Sequence, residues 1–468
     1  MSDKKFGNDE RQKHDWASSH GVKKMTITEE TEDAPQFFAP IVDYAEAERF
    51  VEELRSFSIE EVGNAEWMEQ HRRLERLNLQ AHQSAVSNSE EFVLEAILTF
   101  GKIDILIHDL LLIEAWKENV YPHLLDRVAG RNSMRVYFIL YHEATIVNLF
   151  EVLMYHKHVC EQGGEKFLEL VDYCARKMTR LQSGYNFRTV TPSSVSAPST
   201  SGAATSNRAK QLAEELASRS PQDELAGYLT DIEFKVCISA CTIARFLTEH
   251  ADVLPLSVQS RITDVHDYLI LVIPLIENPP WTRRVEGKWE KLIDYKWSKV
   301  EPIDLLKVTK LEGQPWLSLY HLVAKTCFRE RYHINSFRKT QLLRVRKYLN
   351  DVLLDQLPFL ADIMRYLDEL ALADVGVDNR QNIFQFQQVS RKRESMLKGQ
   401  DWKAVADVQM ERVFTMTDRD DKDVRLMASL YASDDVTDML DPEKESIDLN
   451  NVDWANADLA SLGVRGGN

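Results

Sequence analysis

Residues 102–120, KIDILIHDLLLIEAWKENV, are apolar on nearly every side when they are placed on a helix. Four polar side chains interrupt the apolar face: Asp104, His108, Asp109 and Glu114. A helix that is apolar all round packs against neighbours on more than one side. The stretch therefore predicts a helix inside a helical core.

Helical spacing of apolar residues continues on both sides of this stretch, from residue 41 to about residue 440. Alternating β-branched residues bounded by Asn-Gly or Asp-Gly are nearly absent, and only 17 of 468 residues are glycine. The predicted class is all-α. Residues 279–316 are rich in tryptophan and less periodic, which predicts loops or short strands there.

Composition places the chain among ordinary globular proteins, with 44% apolar and 28% charged residues. The net charge of −17 makes unspecific attraction to nucleic acid or to an anionic membrane surface unexpected. Five scattered cysteines without a secretory signal indicate free thiols in a reducing compartment. The longest apolar run, residues 267–278, is shorter than the roughly 20 residues of a membrane-spanning helix, so we expect no span.

Changes of composition divide the chain into five parts. A stretch rich in Ser, Thr, Pro and Gly interrupts the helical pattern after residue 182, and both ends are polar and charged. We predict a disordered tail over 1–36, an N-terminal helical lobe over 37–182, a disordered linker or loop over 183–207, a C-terminal helical lobe over 208–440 and an acidic tail over 441–468.

The stretch YHEATIVNLFEVLMYHKHVC, residues 141–160, holds the residue types of a metal or catalytic site. If it is one helix, His142 and His156 lie roughly 21 Å apart, too far to share a metal ion. His156 and Cys160 share a face but supply only two ligands. Gly163 and Gly164 follow as terminators, so Cys160 lies near a helix end that disfavours a thiolate. A packed helix is the favoured interpretation.

A metal-dependent hydrolase that uses His142, Glu143, His156 and Cys160 stays open as an alternative, and it predicts stoichiometric zinc. The acidic run of residues 418–423 lacks the glycine and the glutamate of a calcium loop, so we interpret it as a solvated helix start. No phosphate-binding loop, dinucleotide fingerprint, nucleophile elbow or CxxC is present in the sequence. We expect neither a catalytic residue nor a cofactor.

Although the chain as a whole is acidic, one segment is rich in Arg and Lys: residues 328–349, FRERYHINSFRKTQLLRVRKYL. A basic helical face can bind an acidic partner or a phosphate, although most charge runs are solvated faces. It is the candidate protein-binding site, and its nominated residues are Arg338, Lys339, Arg344, Arg346 and Lys347.

Several long motifs occur in order along the chain. They are LRSFSIEEVGNAEWMEQHRRLERLNLQA (54–81), YHEATIVNLFEVLMYHKHVCE (141–161), LVDYCARKM (170–178), PPWTRRVEGKWEKL (279–292), KLEGQPWLSLYHL (310–322) and LLDQLPFLADI (353–363). Together they resemble the zinc finger MYND domain-containing protein 10 family over about residues 40–440.

The resemblance implies an all-helical body of the armadillo or HEAT type that acts as a cytoplasmic adaptor, near basal bodies or centriolar satellites, and not as an enzyme. It implies a role in preassembly of axonemal dynein arms for motile cilia or flagella, including those of sperm. The implied partners are dynein heavy and intermediate chains, a leucine-rich-repeat co-factor, an FK506-binding-class immunophilin and the ninety-kilodalton heat-shock chaperone.

The sequence departs from that family in one respect. The family ends in a MYND zinc finger, which needs seven cysteines and a histidine, whereas this sequence has no cysteine after Cys327. We therefore expect no such finger within these residues. A nuclear regulatory scaffold, suggested by other MYND proteins, is a third interpretation that the acidic net charge disfavours.

Overall fold

A computed structural model describes residues 40–183, 220–285, 287–293, 295–329, 332–373 and 391–431, all within one compact unit. The predicted tails over 1–36 and 441–468 and nearly all of the predicted linker over 183–207 lie outside the described residues. Within the described part the protein is a helical body with one small sheet, and the predicted all-α class is confirmed.

Eight helices precede the predicted linker. They are α1 (Tyr44–Glu52), α2 (Ala65–Val86), α3 (Phe92–Thr99), α4 (Ile103–Asn119), α5 (Tyr121–Val128), α6 (Ser133–Met154), α7 (Lys157–Gly163) and α8 (Phe167–Gln182). Local sequence explains where several begin. For example, the side chain of Asn64 accepts a hydrogen bond from the backbone N–H of Trp67 and caps α2.

Helix α6 forms the centre of this part and packs against α2 and α4. Its buried residues lie on all sides, which agrees with its apolar sequence. Among the residues that the structure describes, α6 alone is long and apolar enough to cross a membrane by length and composition. Because 72% of its most apolar window is buried inside the protein, α6 has the character of a core helix.

A long helix, α9 (Pro221–Glu249), joins the two sides of the body. Its start is encoded locally by Pro221 in the first turn and by a capping box between Ser220 and Asp223. It packs against α6 and α8 and also against a later helix, α12 (Lys310–Ala324). Helices from both predicted lobes thus contribute to one hydrophobic core. The division into two lobes itself stays a prediction.

Three short strands form an antiparallel sheet in the tryptophan-rich stretch: β1 (Thr282–Val285), β2 (Lys288–Ile293) and β3 (Lys296–Val300). The register pairs Arg284 with Trp289 and Trp289 with Val300. Trp281 and Leu292 are buried at the base of the sheet, where the Leu292 N–H donates to the Trp281 carbonyl over 2.9 Å. The prediction of short strands in this region is confirmed.

The remaining helices complete the body. They are α10 (Leu256–Ser260), α11 (Tyr268–Glu277), α13 (Thr326–Arg329), α14 (Ser336–Val345), α15 (Asp351–Gln356), α16 (Leu360–Leu372), α17 (Lys392–Leu397), α18 (Trp402–Arg412) and α19 (Lys422–Tyr431). Helix α18 packs beside α5, and α19 packs on α2.

The acidic run before α19 is a helix start, but the prediction that it is solvated is wrong for Asp421, whereas Asp420 is exposed. Asp421 is buried, and both of its carboxylate oxygens accept hydrogen bonds from the Arg135 guanidinium at 2.6 and 2.8 Å. Asp418 accepts from the N–H groups of Met134 and Arg135 and so caps α6. Asp421 is buried and Asp418 is half-buried because these carboxylates meet a cation and a helix N-terminus that lie about 285 residues earlier.

Residues 141–160 do not form a single helix. Helix α6 ends at Met154, and His156 adopts an extended conformation before α7 begins. Helix α7 is only seven residues long and ends at Gly163, followed by Gly164 with φ of +53°. The two glycines therefore terminate a helix as predicted.

Substitution of Gly163 by alanine is expected to lower the free energy of unfolding by about 1–3 kcal/mol, because overpacking forces buried groups apart. A Cβ atom at this position would lie 2.1 Å from the ring of Phe167, which is fully buried. Gly313→Ala in α12 is the control, since nothing lies within 4 Å of its added methyl group and alanine favours a helix. Urea unfolding of both variants tests this, and equal stability of Gly163→Ala and the wild type would contradict it.

Candidate protein-binding surfaces

The four residues of the hydrolase alternative lie in different surroundings. His142 is buried in the core, where its Nδ1 lies 2.8 Å from Nδ1 of His71, and burial lowers its pKa to about 3. His156 lies on the surface side and pairs with Glu91 at 2.6 Å. Cys160 is fully buried, and its pKa is raised chiefly by burial. The arrangement favours no shared reaction centre.

Glu143 belongs instead to a buried charge cluster that we define as Glu114, Lys117, Glu143, Lys177 and Glu233. Nζ of Lys177 lies 2.8 Å from Glu143 and 2.9 Å from Glu233, and Lys117 contacts the same two carboxylates. The cluster joins α4, α6, α8 and α9 at the centre of the core. Within the described ranges no group of three or more His, Cys, Asp or Glu residues is suited to hold a metal ion.

The nominated basic residues lie on or next to α14, and each has a partner in the chain. Arg338 pairs with Asp267 at 2.8 Å, and Nζ of Lys339 donates to the Ala373 carbonyl at the end of α16. The other three pair with carboxylates: Arg344 and Lys347 with Glu277, and Arg346 with Asp368.

These internal pairs reduce the charge that the basic segment presents to a partner. Arg346 and Lys347 are more than half exposed, whereas the Glu277 carboxylate is only 5% exposed. An acidic ligand would have to compete with these carboxylates for Arg344. The assignment of the segment as a protein-binding site stays a prediction.

A second candidate surface is a cleft of about 370 Å³, which we call the interhelical cleft. It opens where the C-terminal ends of α2 and α6 approach α9 and the first turns of α12. Its apolar wall consists of Ala85, Val152, Tyr155, Phe246 and Leu317. Pockets of about 300–1,000 Å³ with apolar walls and a few polar groups are typical ligand sites.

The acidic groups of the interhelical cleft have partners in the protein. Glu91 is paired with His156, as described above. The Glu151 carboxylate accepts hydrogen bonds from Ser239 at 3.0 Å and Tyr295 at 3.4 Å, and burial raises its pKa to about 7. Neither carboxylate therefore contributes a free negative charge of full strength.

The basic groups of the interhelical cleft are less completely compensated. Lys310 is exposed, and it has no ion-pair partner in the described part of the chain. Arg245 is 2% exposed and pairs with Glu249 at 2.7 Å, but its Nε has no hydrogen-bond partner among the described residues. The cleft combines an apolar wall with one exposed ammonium group, that of Lys310, which has no ion-pair partner within the described ranges.

No pattern in the sequence predicts this cleft. Its residues run from His82 to Leu317 and come from separate helices, so no local motif brings them together. The one local signal is Gly313, an isolated glycine within a helical pattern, where glycine lowers helix stability relative to alanine. Gly313 lines the cleft, and no atom lies within 4 Å of the position that a Cβ would take.

Comparison with known proteins shows that this chain is similar in sequence to a protein of known family. A protein of Drosophila melanogaster named zinc finger MYND domain-containing protein 10 homolog is 30% identical over 329 residues. The aligned segment covers 69% of this chain and 67% of the Drosophila protein. No family model and no solved structure matches the chain.

Proposed function

Because the chain belongs to the zinc finger MYND domain-containing protein 10 family, we propose that it is a cytoplasmic adaptor for the preassembly of axonemal dynein arms. It acts by binding other proteins and not by catalysis. The proposed partners are dynein heavy and intermediate chains, a leucine-rich-repeat co-factor, an FK506-binding-class immunophilin and the ninety-kilodalton heat-shock chaperone.

The extent of the likeness to the Drosophila protein carries the proposal. Residues before 40 and after 431 together number far fewer than the 329 aligned residues, so the likeness lies mainly in the helical body. No cysteine follows Cys327, so a MYND finger within these residues cannot supply the contacts. The proposal therefore places partner binding on the helical body, where the basic segment and the interhelical cleft offer two surfaces.

Affinity capture of the tagged chain from the cytosol of ciliated or sperm-forming tissue, followed by mass spectrometry, tests this function. We expect dynein chains and chaperone components with the full chain and also with a version that ends at Leu440, because all described helices precede that residue. Recovery of none of these proteins by either version would contradict the proposed function.

The basic segment is tested in the same capture with Arg344, Arg346 and Lys347 all replaced by glutamate. If the segment is the binding site, we expect the loss of at least one partner, because the reversed charges repel an acidic surface. The control reverses Lys398 and Lys403, which lie on exposed positions near α17 and α18. Retention of every partner by the triple variant would remove the segment from consideration.

A further inference from the structure

We propose that the interhelical cleft binds a short segment of a partner protein in which a large apolar side chain lies next to a carboxylate. This inference rests on the proposed adaptor function and names the site and the ligand chemistry. The apolar side chain would fill the cleft against Tyr155, Phe246 and Leu317, and the carboxylate would lie toward Lys310.

The volume and walls of the cleft fit one large side chain. At about 370 Å³, the cleft lies near the lower end of the range found for ligand sites. Phe246 and Leu317 are each 7% exposed, so their remaining accessible surface is small. A single aromatic or aliphatic anchor that enters such a pocket is the usual centre of a protein interface.

Charge complementarity with the cleft predicts that the ligand carries a negative charge. The two carboxylates that line the cleft have hydrogen-bonding or ionic partners in the protein, whereas Lys310 has no ion pair in the described residues. Arg245 adds a buried guanidinium with one unpartnered N–H at Nε. Buried donors without partners cost free energy, and a ligand that supplies an acceptor removes that cost.

Gly313 makes the proposal testable without damage to the fold. It lies within α12, its φ is not in the left-handed region, and a Cβ would meet nothing within 4 Å. A leucine at this position extends into the cleft and occupies the space that the proposal assigns to the ligand. Since leucine favours a helix over glycine, the variant should fold at least as well as the wild type.

The first probe is 8-anilinonaphthalene-1-sulfonate, an apolar aromatic anion whose fluorescence rises in an apolar site. We expect saturable binding to the purified full chain and a loss of affinity of about tenfold or more in Gly313→Leu, because the pocket is filled. Lys310→Glu should weaken binding by about threefold to tenfold through loss and reversal of one exposed charge. Lys403→Glu, a charge reversal in the first turn of α18, is the matched control and should bind as the wild type does.

Unfolding temperatures of all variants are measured beside the titrations. Lys310→Glu places an acid in the first turn of α12, which favours the helix dipole, so its loss of binding cannot come from a weaker fold. No saturable binding by the wild type, or unchanged binding by Gly313→Leu with a retained unfolding temperature, would overturn the proposal.

The second probe is a labelled synthetic octapeptide that carries Asp-Trp in a Ser-Gly background, compared with its Asn-Trp twin. The Asp-Trp peptide should displace the fluorophore at a concentration at least about threefold lower than the twin, because only it supplies the charge for Lys310. Equal displacement by both peptides would contradict the charged part of the proposal.

Titration of the chain that ends at Leu440 shows whether a partner segment or the protein's own acidic tail occupies the cleft. If a partner segment is the occupant, the full and the shortened chain bind the fluorophore equally. A clear gain of affinity in the shortened chain would assign the cleft to residues 441–468, which contain Trp454 beside Asp453, and would overturn the partner assignment. These titrations need only purified protein, so their failure is distinguishable from a failure of the capture experiment.

Discussion

Replacement of Lys177 by methionine is expected to lower the free energy of unfolding by about 3–5 kcal/mol, because removal of one member of a buried ion pair leaves its partners uncompensated. The Lys177 side chain is 2% exposed, and its Nζ lies 2.8 Å from Glu143 and 2.9 Å from Glu233. Without this ammonium group, Lys117 contacts both buried carboxylates and Arg180 contacts Glu233 from a half-buried position.

The loss of stability in Lys177→Met should depend on pH, and the direction follows from the carboxylate pKa. Burial raises the pKa of Glu233, but Lys117, Lys177 and Arg180 together outweigh burial and hold that pKa below its usual value. Because its lowered pKa favours the ionised form, Glu233 stabilises the folded wild type at neutral pH, and removal of Lys177 raises the native-state pKa of Glu233 and reduces this contribution. The difference in stability between variant and wild type should therefore be largest where Glu233 is ionised in both proteins, and it should shrink as the pH falls through the raised Glu233 pKa of the variant.

Urea unfolding followed by far-ultraviolet circular dichroism measures the effect. The control is Lys235→Met in α9, which removes an ion pair with Asp231 in which both side chains are more than 40% exposed. Such surface pairs contribute about 0–1 kcal/mol, so this variant should unfold almost as the wild type does. A loss below 1 kcal/mol in Lys177→Met would show that the cluster is not the centre of stability that we infer.

Arg135→Met is the second substitution with a large expected effect, and its effect should be concentrated at the end of the described chain. The guanidinium is 7% exposed, pairs with Asp421 through two hydrogen bonds and contacts Asp423 at 3.0 Å. It also donates to the carbonyl of Gly63. The variant leaves Asp421 buried without a cation, at a cost of about 3–5 kcal/mol.

The expected structural result is release of α19 from α2, because Arg135 joins Asp421 and Asp423, at the start of α19, to helix α6. Hydrogen exchange in residues 418–431 and the rate of tryptic cleavage after Lys422 and Arg425 report this release directly. Arg365→Met serves as the control, since Arg365 and its partner Asp362 are 72% and 55% exposed. Unchanged protection of α19 in Arg135→Met would contradict the assigned role.

Local patterns in the sequence were sufficient to predict the helical class and several individual helix features. The apolar run of residues 102–120 forms α4, and the glycines at 163 and 164 end α7. The capping box of Ser220 and Asp223 that begins α9 is equally local, although it was not predicted. These features act over one or two helical turns, so one stretch of sequence contains all the interacting groups. The break at His156 was not predicted, because nothing in its immediate neighbours interrupts the helical pattern.

The burial and the ion-pair partners of charged residues could not be predicted from local patterns. Acidic residues 418–423 were interpreted as a solvated helix start, yet Asp421 is buried because Arg135 lies beside it. The basic residues on and next to α14 were predicted to bind a partner protein, and no pattern in the sequence indicated that Arg344 and Arg346 have carboxylate partners on α11 and α16. Ion-pair partners that lie tens to hundreds of positions away in the sequence cannot be identified from the residues next to a charged side chain.

The sequence by itself determined the helical class and the family, since these follow from spacing within single segments and from long matching motifs. Only the tertiary structure decided which charges are neutralised, that Glu143 belongs to a buried cluster, and that separate helices enclose the interhelical cleft. The physical reason is that burial and ion pairing depend on distances between segments, and those distances exist only after the helices have packed together.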